Sequence, residues 1–126
     1  MQTALDGMSD GDLVRRIDPD ANTIAWLVWH TARMQDGQVA MAQRALGRSD
    51  ADQVWTSQGF ADRFGRDVGD REVGYGMTSD QVAGIVAPAD LLVEYHQAVH
   101  DHTVAFLESL DDADYGTVVD RHWDPP

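Results

Sequence analysis

The sequence predicts an all-α fold in a single domain spanning residues 1–126. Two long stretches, about 22–46 and about 88–109, repeat apolar residues at helical spacing, and no strand-rich region appears. A long irregular stretch with several glycines separates them. Because the chain length suits one domain with one core, we expect a helical bundle built on two long antiparallel helices with several short ones.

The N-terminal region predicts only short structure. Residues 1–8 are weakly patterned and are interpreted as a frayed end or as the tail of an earlier helix. Ser9 or Asp10 can cap a short helix that runs to Ile17. Its apolar face is expected to contain Leu13, Val14 and Ile17.

The first long helix is expected to begin at an Asn22 cap and to end before Gly47, a typical C-terminal glycine. Its richest apolar stripe, predicted to face the core, comprises Ile24, Leu27, Val28, Thr31, Met34 and Met41. His30 lies beside this stripe. A histidine in such a place is either a hydrogen-bonded core residue or a metal ligand, and the pattern alone leaves both open.

The stretch 50–78 contains a predicted helical turn at 50–55 and a compact loop at 59–65. Two interpretations stay open for it. It is a binding loop, or it is a wrapping segment that covers one end of the core with Trp55, Phe60, Phe64 and Tyr75. A short helix capped by Ser79 is expected to follow and to run to Ile85 or Val86.

The second long helix is expected to hold Pro88 in its first turn, with a main stripe of Leu92, Tyr95, Val99, Thr103, Phe106 and Leu110. His96 and His100 are four residues apart, so both lie on one face and can bind one metal. The alternative is that they are two polar positions at the edge of the stripe. His102 is predicted to point to the opposite side, into water, and His122 has no predicted place.

Composition excludes several function classes. The net charge is −13 and all basic residues are arginines, which argues against nucleic-acid binding and against an anionic membrane surface. Without cysteine, any metal site must use His, Asp or Glu. The longest apolar run, 24–29, is too short to cross a membrane, and no targeting pattern precedes it, so a cytoplasmic location is expected. No nucleotide-binding glycine motif or serine-nucleophile elbow occurs.

Three segments, residues 22–33, 74–83 and 120–126, resemble the DinB-like superfamily, in the branch of mycothiol-dependent enzymes of actinobacteria. The segments occur in the same order as in that branch, and the resemblance runs through most of the chain.

The resemblance implies a four-helix bundle of the up-down-down-up type. It also implies a divalent metal, zinc or nickel, held by three side chains, with His30 as one ligand. The associated chemistry is transfer or isomerisation with a small thiol such as mycothiol, acting on an electrophilic substrate. Similar proteins carry a further first helix and a last helix that supplies the other two ligands. We therefore expect an incomplete metal triad in this chain. The alternative is a non-catalytic helical metal-binding or dimerisation module, in which a homodimer covers the exposed apolar faces.

Overall fold

A computed structural model describes residues 1–65 and 71–122 of the chain. The described residues form helices and turns without any strand, which confirms the predicted all-α class. The helices are α1 (Gln2–Leu5), α2 (Asp10–Val14), α3 (Ile24–Ala45), α4 (Val54–Ser57), α5 (Phe60–Arg63), α6 (Ser79–Ala83), α7 (Ala89–Glu108) and a 3₁₀ turn (Asp114–Gly116).

The N-terminal cap of α3 is Thr23, not the predicted Asn22. The Thr23 hydroxyl accepts a hydrogen bond from the backbone N–H of Trp26 over 3.1 Å, and Thr23 is buried while Asn22 is exposed. The prediction placed the start one residue early because both residue types cap helices well. At the other end, Gly47 adopts φ +69°, the left-handed conformation that favours glycine after a helix.

The two long helices run parallel, and the predicted antiparallel arrangement is wrong. Three side-chain hydrogen bonds join α3 to α7, namely Gln35–Thr103, Asp36–Tyr95 and Gln43–His102. Just past the C-terminal ends of both helices, Arg48 bonds to Ser109, so these two ends lie side by side. Parallel neighbours require a long connection, and the stretch that carries α4, α5 and α6 supplies it. This direction agrees with the up-down-down-up order implied by the resemblance.

The buried face of α3 differs from the predicted stripe. Leu27 is 47% exposed and Met41 is 40% exposed, whereas Arg33 and Asp36 are fully buried. The helix turns its tryptophans, alanines and these paired polar residues inward: Ala25, Trp26, Val28, Trp29, Ala32, Arg33, Asp36, Val39, Ala40 and Gln43. Only Val28 of the predicted stripe is buried, because apolar periodicity cannot anticipate a polar pair that satisfies itself inside the core.

The core is an aromatic cluster between the long helices and the middle segment. The ring of Trp55 lies 6.2 Å from that of Trp29 and 5.3 Å from that of Tyr95. Phe60 and Phe64 pack on Tyr95 at 4.9 and 5.8 Å. These rings favour the wrapping interpretation of residues 50–65.

Some expectations for the middle and early segments fail. Tyr75 is 92% exposed and does not cover the core. Ile17 is 93% exposed because α2 ends at Val14, after a Ser9 capping box. The cap of α6 is Thr78 and not Ser79, and that helix ends at Ala83.

On α7 the predicted stripe is largely buried, since Leu92, Tyr95, Val99 and Phe106 all face the core. Pro88 is the residue that precedes the helix, one position before its predicted place. None of the helices in the described ranges is both long and apolar enough to cross a membrane.

Candidate functional site around His30

His30 lies on α3 with a half-buried ring held on two sides. One ring nitrogen, Nδ1, makes a short hydrogen bond to the backbone carbonyl of Val73. The ring stacks on Trp26 with centroids 4.4 Å apart and planes 15° apart. Because a carbonyl can only accept, Nδ1 carries the proton, and in the neutral ring Nε2 then carries the lone pair.

Gly74 explains how the loop comes so close to this ring. A Cβ built on Gly74 would lie 2.9 Å from the Trp29 ring and 3.1 Å from Nδ1 of His30. Its φ of +96° also lies in the region that favours glycine. The loop backbone therefore packs directly on α3, and this close approach brings the Val73 carbonyl to His30.

Trp26 is fixed in turn from the same loop. Its indole Nε1–H donates to the sulfur of Met77 over 3.3 Å. A sulfur acceptor on the loop thus orients the indole on which His30 stacks. The result is a histidine with a defined rotamer and tautomer, held by Val73, Trp26 and Gly74.

Nε2 of His30 makes no hydrogen bond within residues 1–65 and 71–122. A histidine whose Nδ1–H is bound to a backbone carbonyl has the orientation typical of a metal ligand that binds through Nε2. The same described ranges contain no group of three His, Asp or Glu side chains suited to a metal ion. His30 therefore fits a metal as a single ligand, and the described residues do not form a triad around it.

The other histidines are placed apart from this ring. His96 and His100 lie on α7, the first half-buried and the second exposed, and neither has a described contact with His30. His102 was predicted to be solvated, but it is half-buried and its Nε2 lies 3.3 Å from Oε1 of Gln43 on α3. His122 is exposed.

A buried polar network below the site was not predicted. The carboxylate of Asp36 accepts hydrogen bonds from the backbone N–H groups of Val54 and Trp55, both at 2.8 Å, and from the Tyr95 hydroxyl at 2.9 Å. It thereby caps α4 and joins α3 to α7. An Asp three residues after an Arg on a helix is a usable signal for such a pair, although it does not reveal burial.

Arg33 is the cationic member of this network. It donates to the backbone carbonyl of Glu72 and to Oε1 of Gln53, and it lies 3.8 Å from Asp36. Its guanidinium also covers the Trp55 ring at 4.6 Å. Since Glu72 precedes Val73, Arg33 anchors the loop segment that reaches His30.

Burial, and then the negative charge of Asp36, raises the pKa of the Tyr95 phenol well above its ordinary value. The phenol therefore stays protonated and donates to Asp36. This favours a structural role for Tyr95, because a phenol with such a raised pKa does not act as a base near neutral pH.

Comparisons with known proteins agree with this architecture. A family model described as the DinB superfamily matches residues 1–126. A solved structure titled as a conserved protein from Enterococcus faecalis is similar, with 27% sequence identity and a TM-score of 0.80. The similarity covers 99% of this chain and 71% of that chain. The search of curated proteins gave no match. The family-model match over residues 1–126 shows that the chain belongs to the DinB superfamily.

Proposed function

We propose that His30 is one ligand of a divalent metal, zinc or nickel, in a DinB-type protein that acts on a small thiol. The observation that supports this is the ring itself, with Nδ1–H bound to the Val73 carbonyl and Nε2 without a partner in the described residues. Among the described residues, Nε2 of His30 is not one of the buried side-chain atoms that lack a partner, so it is accessible to solvent and to a ligand. A half-buried ring that is oriented through one nitrogen and open at the other suits a ligand.

The reaction class that we propose rests on the resemblance of residues 22–33, 74–83 and 120–126 to the mycothiol-dependent branch. A bound metal lowers the pKa of a coordinated thiol, which favours the nucleophilic thiolate. A mycothiol-type thiol would then react with an electrophilic substrate in a transfer or isomerisation. The residues described here orient His30 and shield one side of its ring with Trp26, and they supply one ligand only.

Metal binding and activity together test this proposal. Untagged, chelator-stripped protein is titrated with Zn²⁺ or Ni²⁺, and thiol consumption is followed with mycothiol and a fluorogenic alkyl halide. We expect His30→Ala to lose one binding event and any metal-dependent thiol consumption. The matched control is His122→Ala, since His122 is exposed. Equal metal binding and equal activity in both variants would contradict the assignment of His30.

A second candidate function is a non-catalytic helical module that pairs with another copy of the chain. The exposed apolar positions on α3, Leu27 and Met41, favour it, because they lie on the same side of the helix.

The mass in solution tests this second candidate. If the α3 face pairs two copies, Leu27→Asp gives a monomer by light scattering. Ile17→Asp should leave the mass unchanged, since Ile17 is 93% exposed and does not belong to α3. A monomeric wild-type chain would exclude the dimerisation module.

A further inference from the structure

His96 and His100 differ from the other helical histidines in having uncommitted rings. His30 bonds to the Val73 carbonyl and His102 lies near Gln43, whereas no hydrogen bond of His96 or His100 occurs in residues 1–65 and 71–122. Both belong to the continuous helix α7. Four-residue spacing brings their Cβ atoms to about 5–6 Å, so the rings can converge on one ion.

The surroundings of this pair attract cations. A groove of about 540 Å³ follows the neighbouring face of α7, between that helix and α1. Its lining includes four carboxylates, Asp6, Asp90, Glu94 and Asp101. Arg63 forms an ion pair with Glu94 and offsets the charge of that carboxylate. The chain as a whole nevertheless carries a net charge of −13. These carboxylates raise the local concentration of divalent cations, while the positive N-terminal amine near His96 weakens that field.

We infer that His96 and His100 form a second, independent site for a borderline transition-metal ion, Ni²⁺, Zn²⁺ or Cu²⁺, on the outer face of α7. Two imidazole nitrogens bind the ion, and water completes its coordination. Imidazole donors favour these metals over Mg²⁺ and Ca²⁺, which prefer oxygen. The described residues contain no third His, Asp or Glu grouped with the pair. The site is therefore a two-histidine chelate whose remaining ligands are exchangeable waters. It is separate from the ligand position proposed at His30.

Calorimetric titration of untagged, chelator-stripped protein with Ni²⁺ alone tests the inference at about pH 7.5, where imidazoles are mostly neutral. Removing one arm of a chelate abolishes its effective-concentration advantage, so we expect His100→Ala to weaken binding by about tenfold or more. His96→Ala should do the same. His102→Ala is the matched control, since His102 belongs to the same helix but faces Gln43.

Four further results decide the matter. His30→Ala should leave Ni²⁺ binding at His96 and His100 intact. A failure of this inference is thereby distinguishable from a failure of the function proposed for His30. Mg²⁺ should not compete. Unchanged Ni²⁺ affinity in His100→Ala, with the circular-dichroism melt of the wild type, would overturn the inference. So would an equal loss in His102→Ala.

Discussion

The Tyr95 hydroxyl on α7 donates a hydrogen bond over 2.9 Å to the fully buried carboxylate of Asp36 on α3. The same carboxylate accepts two backbone hydrogen bonds from the start of α4. One side chain thus joins three helices, and Arg33 beside it supplies the compensating charge. The network sets the register of α3 against α7 and holds the middle segment on the core.

Replacing Asp36 should cost much of the stability of the fold. Asp36→Asn keeps the shape but removes the charge, and its amide NH₂ then faces a backbone N–H that can only donate. Breaking a buried pair costs about 3–5 kcal/mol, so the free energy of unfolding should fall by about that amount in urea denaturation. Asp62→Asn on α5 is the control, since Asp62 is exposed. A loss similar to that of the control would show that the network does not stabilise the fold.

Removing only the Tyr95 hydroxyl should have a smaller effect. Tyr95→Phe retains the ring that packs on Trp55, Phe60 and Phe64. It leaves Asp36 with one acceptor position unfilled, which costs about 1–3 kcal/mol. Urea denaturation of Tyr95→Phe, of Asp36→Asn and of the double variant measures the coupling between them. Strictly additive losses would mean that the two groups do not interact.

Sequence reasoning predicted the fold class and the two long helices, with the first ending near Gly47, because these depend on local periodicity and caps. The antiparallel pair expected from the two long helices was wrong, since 3.6-residue spacing carries no information on how neighbours align, whereas the order implied by the resemblance agreed with the structure. Sequence reasoning also misjudged which side of α3 is buried. The buried face holds Arg33 and Asp36, and only their tertiary partners make them tolerable in a core.

The candidate site was partly predictable for a similar reason. His30 stands out as an ionisable residue in an apolar stretch, and the resemblance pointed to it as well. Its partners Val73 and Gly74 come from a loop more than forty residues away in the chain. Backbone carbonyls and close approaches of glycine leave almost no pattern in sequence, so the origin of the ring's orientation required coordinates.

The lowered pKa of His96 predicts a specific pH dependence of stability. The unfolded chain titrates near the ordinary value of 6.5 and the folded chain titrates lower, so the unfolded state binds more protons between the two values. Stability should therefore fall as the pH decreases through this window, and be fully regained above it. Since burial is the largest cause, His96→Gln should remove that component of the slope in urea denaturation across the window. His122→Gln, altered at an exposed site, should keep the wild-type slope. Parallel profiles for both variants would refute the prediction.

A methyl group at Gly74 should disturb the His30 site more than one at Gly76. Both glycines have positive φ, +96° and +75°, so Ala strains the backbone by about 1 kcal/mol or more at each. Only at Gly74 does the added Cβ also meet the rings of Trp29, His30 and Trp26, whereas at Gly76 it meets open space. We expect Gly74→Ala to lose about 2–4 kcal/mol of unfolding free energy, the sum of strain and overpacking, and Gly76→Ala only the strain. Moving the loop outward also separates the Val73 carbonyl from Nδ1 of His30, so the ring resonances of His30 in NMR spectra should shift in Gly74→Ala alone. Equal losses with unchanged His30 resonances would mean that the loop does not orient this histidine, and that its ring is held by Trp26 alone.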